Sequence, residues 1–164
     1  MQRLILFLVF LLFFFLNSCQ PQKPEDQIKP AVEKYLYVWN GGNLDSLDSI
    51  LSENFEFRIN PAFEAIVGRE KLKEHITMSR NAFADFNVSE KDIILLGDTA
   101  LVATWIISGT YNNPENPLAS GKKTSSPGFS IIFFNDNKLT GEWVAYSDLS
   151  WYKGLGYELV IPQK

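Results

Sequence analysis

The chain alternates between two hydrophobic periods, and each period predicts a different kind of element. After residue 29, apolar side chains recur every three or four residues, at Val32, Tyr35, Leu36 and Trp39. This spacing predicts a helix over 30–40 that the Asn-Gly-Gly of 40–42 ends. A second short helix is predicted from Asn43, because asparagine is a favourable N-cap residue.

Later in the chain the period shortens to two. Phe55, Phe57 and Ile59 alternate with polar residues, which predicts a strand. A third helix is predicted after Gly68, with His75 and Met78 on its inner face. Four long strands are then predicted, over 86–96, 99–112, 123–135 and 138–150. Helices followed by an antiparallel meander predict an α+β fold, with helices packed on one face of a curved sheet.

The N-terminus has a different pattern, which is typical of a targeting segment. An unbroken apolar run extends from Leu4 to Leu16 after one basic residue. As a helix it rises only about 20 Å, short of the roughly 30 Å that a membrane span needs. This predicts a signal peptide over 1–18.

The run ends in Leu16-Asn17-Ser18-Cys19, which resembles the lipobox of bacterial lipoproteins. In that class the cysteine is lipidated and becomes the first residue of the mature chain. We therefore expect a lipidated Cys19, a polar tether over 19–28, a single domain over 29–164, and a membrane-anchored location in the bacterial envelope, on its periplasmic or surface side. The alternative is that Cys19 is a chance thiol or precedes an ordinary cleavage site.

Composition narrows the possible partners. Cys19 is the only cysteine, so an internal disulfide or a cysteine-rich zinc site is excluded. The formal net charge of −4 argues against nucleic acid, whose phosphates require a basic face. We expect neither a metal nor another cofactor.

Several stretches, in order, resemble the SnoaL-like group of polyketide cyclases within the NTF2-like superfamily. They are VWNGGNLDSLDSIL, VGREKLKEHITMSRNAFADFNV, ISGTY at 107–111 and FFNDNKLTGEWVAYSDLSWYKGLG, and the resemblance covers about residues 28–157. It implies an NTF2-like cone, in which a curved, mixed or antiparallel sheet encloses a pocket against helices on its concave face. It also implies dimer formation, which is common in the superfamily.

The resemblance further implies a candidate catalytic acid. In the cyclases an aspartate on the last strand acts as general acid and base, and Asp148 falls on that position. Glu142 matches a second acidic position of the group. The cyclase histidine fourteen residues before the aspartate is replaced here by Phe134. A carboxyl group in an apolar pocket would have a raised pKa suited to proton transfer, but Asp148 lacks the expected companion.

The register of the last hairpin decides which side chains face Asp148. A two-residue loop at 136–137 would place Ile132 and Phe134 on the opposite face, and a three-residue loop would place them on the same face. The resemblance favours the longer loop, so both residues are predicted to line the pocket. The full predicted lining is Tyr35, Trp39, Phe57, Met78, Tyr111, Ile132, Phe134, Glu142, Val144 and Tyr146.

Some of these residues have a structural interpretation as well. His75, the only histidine, is either a substitute acid or base beside Asp148 or a half-buried helix residue with one hydrogen bond. Tyr35 and Trp39 line the pocket or belong to the core. Tyr111 donates a hydrogen bond to a ligand or covers the sheet edge.

Three functions follow from this pattern. The first is a binding module for a small apolar or aromatic ligand. The second is a cofactor-free cyclase, isomerase or hydratase that uses Asp148. The third is a dimeric interaction module, in which Trp105, Ile107 and Trp143 form an apolar outer face of the sheet.

The lipoprotein prediction is tested at Cys19. Replacement Cys19→Ala removes the acceptor of the lipid, so the protein should leave the membrane fraction. Mass spectrometry of the wild-type chain should show the lipid on Cys19. A variant that stays membrane-bound, together with an unmodified wild-type cysteine, would show that this prediction is wrong.

Overall fold

The computed structural model describes residues 24–60, 62–113 and 115–162. The predicted signal peptide and Cys19 lie outside these residues. Helix α1 spans Pro24–Trp39, and a 3-10 helix spans Leu44–Ser49. Strand β1 follows at Leu51–Ile59, then β2 at Ile66–Val67 and helix α2 at Arg69–Asn81. Strands β3 (Asn87–Leu96), β4 (Ala100–Thr110), β5 (Lys123–Asn135) and β6 (Lys138–Tyr146) precede the short helix α3, Asp148–Gly154.

The six strands form one mixed, curved sheet in the order β2-β1-β6-β5-β4-β3. Strand β1 runs parallel to β6, while every other neighbouring pair is antiparallel. The predicted α+β class and curved sheet are therefore confirmed. None of the helices among the described residues is long and apolar enough to cross a membrane.

Helix α1 begins six residues earlier than predicted, so residues 24–28 of the predicted tether are helical. Ile28 is only 2% exposed and continues the buried stripe of Ala31, Val32, Tyr35 and Val38 toward the N-terminus. Burial of this extra turn favours helix before Pro30, although proline lacks an amide donor. The stripe packs α1 against the concave face of the sheet.

In the last hairpin Ile132 faces inward as predicted, but the loop that connects the two strands differs from the predicted one. Its loop has two residues, Asp136 and Asn137, both with positive φ, and Asn135 pairs with Lys138. The predicted three-residue loop is therefore wrong. A bulge at Thr140 supplies the extra residue instead, since Phe134 pairs with Leu139 but Phe133 pairs with Gly141. Beyond the bulge Ile132 lies opposite Glu142, so these two side chains share the inner face.

Two further predictions about the sheet are wrong. Strand β6 ends at Tyr146 rather than at residue 150, because Ser147 caps α3 and accepts a hydrogen bond from the Ser150 amide at 3.3 Å. Trp105 and Ile107 lie on the inner face, where they line a cavity, and not on the outer face. The predicted alternation of β4 therefore has the inner and outer faces of the strand exchanged. Trp143 does lie on the outer face and is 39% exposed.

Candidate functional site

A cavity of about 410 Å³ lies between the concave face of the sheet and the three helices. Most of its lining is apolar. Its exposed lining residues, Met78 on α2 and Glu90 on β3, mark the side on which it opens. The opposite end, where β5 and β6 pair, is the floor of the cavity, and it contains the buried polar side chains Ser130 and Glu142.

Trp39 at the end of α1 is the centre of one aromatic wall. Its ring centroid lies 6.3 Å from Tyr35, 5.8 Å from Phe57, 6.0 Å from His75 and 6.1 Å from Phe86. These distances are typical of interacting rings, so α1, β1, α2 and the segment before β3 are joined through one side chain.

The opposite wall continues from Phe86. Phe86 lies 6.2 Å from Phe83, which lies 5.0 Å from Trp151 of α3. Trp151 is 6.4 Å from Tyr146, and Tyr146 is 6.5 Å from Trp105. The rings from Tyr35 to Trp105 thus form one continuous chain around the cavity.

Trp105 depends on a glycine across the sheet. It pairs with Gly128 on β5, and a β-carbon there would collide with the indole ring. The absence of a side chain lets the indole lie against the sheet, where its Nε1 donates to Ser130 Oγ at 2.9 Å.

A hydrogen-bonded group at the floor closes the aromatic chain. Glu142 is 6% exposed, and its Oε2 accepts from Tyr35 Oη at 2.6 Å. Its Oε1 accepts from Ser130 Oγ at 2.5 Å. Because Tyr35 and Trp105 are the two ends of the aromatic chain, Glu142 and Ser130 join them into a ring.

The two ionisable side chains at the floor, Glu142 and Tyr35, both have raised pKa values. Burial raises the pKa of Glu142, while the hydrogen bonds from Ser130 and Tyr35 partly oppose that change. Burial, and then the charge of Glu142, raise the pKa of Tyr35 well above its usual value. Tyr35 therefore remains a donor, and the carboxyl group is the titrating member of the pair.

His75 lines the cavity between Trp39 and Phe57, with its ring 5.2 Å from that of Phe57. Partial burial lowers the pKa of its imidazole, which favours the neutral form. It makes no side-chain hydrogen bond to another residue of 24–60, 62–113 or 115–162. Within the same ranges, no three His, Cys, Asp or Glu side chains are grouped as metal ligands would be.

Asp148 does not occupy the predicted position. It is the first residue of α3, its side chain is exposed, and it does not line the cavity. The prediction that it shares a strand face with Glu142 is wrong, because the Ser147 cap turns the chain into a helix in which an early acidic residue is favourable. The buried acid of the site is Glu142.

The other predicted lining residues fall into two groups. Tyr35, Trp39, Phe57, Met78, Ile132, Glu142, Val144 and Tyr146 line the cavity, as does His75. Tyr111 does not line the cavity, and its ring lies 5.4 Å from that of Phe83. Phe134 pairs with Leu139 between the bulge and the hairpin loop. It is buried in the core and does not line the cavity.

Sequence reasoning missed Ser130, Trp105 and Trp151 as site residues. Their positions depend on strand register and on the start of α3, which hydrophobic alternation does not determine. One available signal was that Ser130 and Trp105 interrupt apolar strands with groups that need a hydrogen-bond partner when buried.

An α+β cone with an enclosed cavity over a curved sheet defines the NTF2-like class of folds. Within that class, the family model for SnoaL-like polyketide cyclases matches residues 29–155. The chain therefore belongs to the SnoaL-like family.

Solved structures agree with this fold. TsrD from Streptomyces laurentii is 25% identical, with 80% of this chain and 96% of that one covered and a TM-score of 0.67. A candidate polyketide cyclase from Acidithiobacillus ferrooxidans is 24% identical, with 84% and 98% covered and a TM-score of 0.69. A SnoaL-like protein of a Jannaschia species is 14% identical, with 86% and 100% covered and a TM-score of 0.71. A search of curated proteins returned no match.

The raised pKa of Glu142 predicts a pH dependence of stability. Above its ordinary value of 4.5 the folded state binds more protons than the unfolded state, until the pH passes the folded pKa. The contribution of the protonated group is thus complete below pH 4.5 and is lost as pH rises through the folded pKa. Glu142→Gln stays neutral, so its unfolding free energy relative to wild type should increase as pH rises over this window.

Urea unfolding at a series of pH values measures this difference. Asp148→Asn is the matched control for the loss of one carboxylate outside the cavity, and the effect assigned to Glu142 is the pH-dependent change seen in Glu142→Gln but not in Asp148→Asn. A Glu142→Gln curve parallel to wild type would contradict the electrostatics described above.

Proposed function

We propose that the chain is a lipid-anchored protein of the bacterial envelope that binds a small apolar or aromatic molecule in its cavity. The observation that carries this proposal is the cavity itself, a space of about 410 Å³ with largely aromatic walls and with the buried Glu142 and Ser130 at its floor. Binding sites for small molecules have this composition: apolar walls provide affinity and a few polar groups provide orientation.

The anchor rests on separate support. The apolar run Leu4–Leu16 and the Leu-Asn-Ser-Cys that ends at Cys19 are typical of a lipoprotein signal. In the mature chain, α1 would begin five residues after the lipidated cysteine. The domain would therefore lie close to the membrane surface, where apolar molecules concentrate.

Dimer formation remains a prediction. The outer face of the sheet exposes Phe129 and Trp143, 46% and 39% respectively, and the Trp143 ring stands edge-on to Phe133 at 5.1 Å. Of the three residues predicted for this surface, Trp143 lies on it, whereas Trp105 and Ile107 line the cavity.

A cavity-filling substitution tests the binding function. Ala103 lies on the inner face opposite Ser130 and is 5% exposed, so Ala103→Phe would place a ring above the floor. We expect affinity for tert-butylbenzene, a compact neutral probe, to fall at least about tenfold as apolar contact area is lost. Ala145→Phe is the control, because Ala145 does not line the cavity.

The readout is tryptophan emission of the full-length chain in detergent, with micelles and free N-acetyltryptophanamide as the blank. Trp39, Trp105 and Trp151 line the cavity, and Trp143 is the only tryptophan outside it. A Trp143→Phe background therefore limits the emission to the three tryptophans of the cavity. If the wild-type emission responds neither to this probe nor to phenyltrimethylammonium, its charged isostere, or if Ala103→Phe binds the probe unchanged, the binding function is wrong.

A second candidate function is acid–base catalysis, and one observation favours it. Glu142 has a raised pKa, faces the cavity and is held in place by Tyr35 and Ser130. A carboxyl group so placed is suited to moving a proton beside a carbonyl. If the chain is such an enzyme, Glu142 is the general acid and base, the role that the resemblance implies for Asp148.

Ring opening of 5-nitrobenzisoxazole tests for such a base without knowledge of the natural substrate. The carboxylate would take the ring C–H proton while the N–O bond breaks, and the product is a cyanophenolate. Glu142→Gln should lower the rate about a hundredfold, the usual loss for a general base. Asp148→Asn should have no effect. A wild-type rate equal to that of buffer, or a loss in Asp148→Asn alone, would contradict this candidate.

A further inference from the structure

We propose that the ligand of this cavity is an organic cation, an ammonium group carried on an apolar body, with its charge facing Glu142 and the surrounding rings. The inference rests on the proposed binding function and narrows it to one class of ligand. It is carried by the distribution of charge and of aromatic faces around the cavity.

The lining contains acids but no strong base. Among the described residues that line the cavity, Glu142 and Glu90 carry carboxyl groups, and neither lysine nor arginine is present. Arg80 is nearby, but its guanidinium donates to the backbone carbonyl oxygens of Trp39 and Gly42, at 3.3 and 3.0 Å. His75 has a lowered pKa that favours the neutral form. The cavity therefore presents a negative potential to a ligand.

Glu142 has acceptor capacity left for a ligand. An ionised carboxylate offers about four lone-pair positions. The structure shows two of them in use, by Tyr35 Oη and Ser130 Oγ. A buried carboxylate is costly without a counter-charge, and no ion pair within the described residues includes Glu142. A cationic ligand would supply that counter-charge.

The aromatic walls fit the same class of ligand. Tyr35, Trp39, Trp105 and Tyr146 all line the cavity, and an aromatic ring carries negative potential on its faces. Such faces attract a cation within about 6 Å, and the attraction strengthens when water is excluded. An anionic ligand would be repelled by both the rings and the two carboxyl groups.

A pair of isosteric probes separates charge from shape. Phenyltrimethylammonium and tert-butylbenzene differ by nitrogen in place of carbon, and the ammonium is charged at every pH. Titrated into the full-length chain with the tryptophan readout above, the ammonium should bind at least about tenfold more tightly, a preference expected for a desolvated cation–π site. Glu142→Gln should reduce the preference several-fold, and Asp148→Asn should leave it unchanged.

The outcomes are distinguishable. Equal or tighter binding of tert-butylbenzene by the wild-type chain would overturn the cationic class but leave the apolar binding function intact. Binding of neither probe would overturn both. A folded Glu142→Gln variant, verified by circular dichroism, that keeps the full preference would also overturn the inference; if that variant does not fold, the ratio in the wild-type chain decides.

Discussion

The structure depends on the requirement that the carboxyl group of Glu142 be satisfied away from water. A buried carboxyl without partners would be strongly destabilising. Here Tyr35 and Ser130 each supply one donor, although Tyr35 lies 107 positions away in sequence. These bonds fix the rotation of α1 about its axis and its position over the sheet. They join Ser130 of β5 and Glu142 of β6 on the inner face that the bulge at Thr140 sets.

Above this buried group the structure has a cavity rather than a filled core. The rings that connect Tyr35 to Trp105 pack against one another at centroid distances of 5.0–6.5 Å, so they form a wall instead of collapsing onto the floor. The result is an apolar chamber with one acid at its base, which is suited to binding and, if the acid is free to titrate, to proton transfer.

The sequence was sufficient for the class of fold, and eight of the ten predicted pocket residues do line the cavity, because helical and alternating periods mark inward faces directly. It was insufficient where one residue decides the geometry. The bulge at Thr140 and the Ser147 cap are each invisible to hydrophobic alternation, yet the first brings Ile132 opposite Glu142 and the second removes Asp148 from the strand. The resemblance placed both Asp148 and Glu142 on the last strand, and in the structure only Glu142 lies there, because the Ser147 cap puts Asp148 in α3.

The central claim is that Glu142 is a buried, titratable acid facing the cavity. The most direct measurement is a carbon-13 NMR titration of its side-chain carboxyl carbon in the full-length chain, assigned by the signal that disappears in Glu142→Gln. The account predicts a midpoint above the ordinary value of 4.5, since burial outweighs the two hydrogen bonds. A midpoint at or below that value would show that the carboxyl group is solvated or otherwise paired, and would contradict the account.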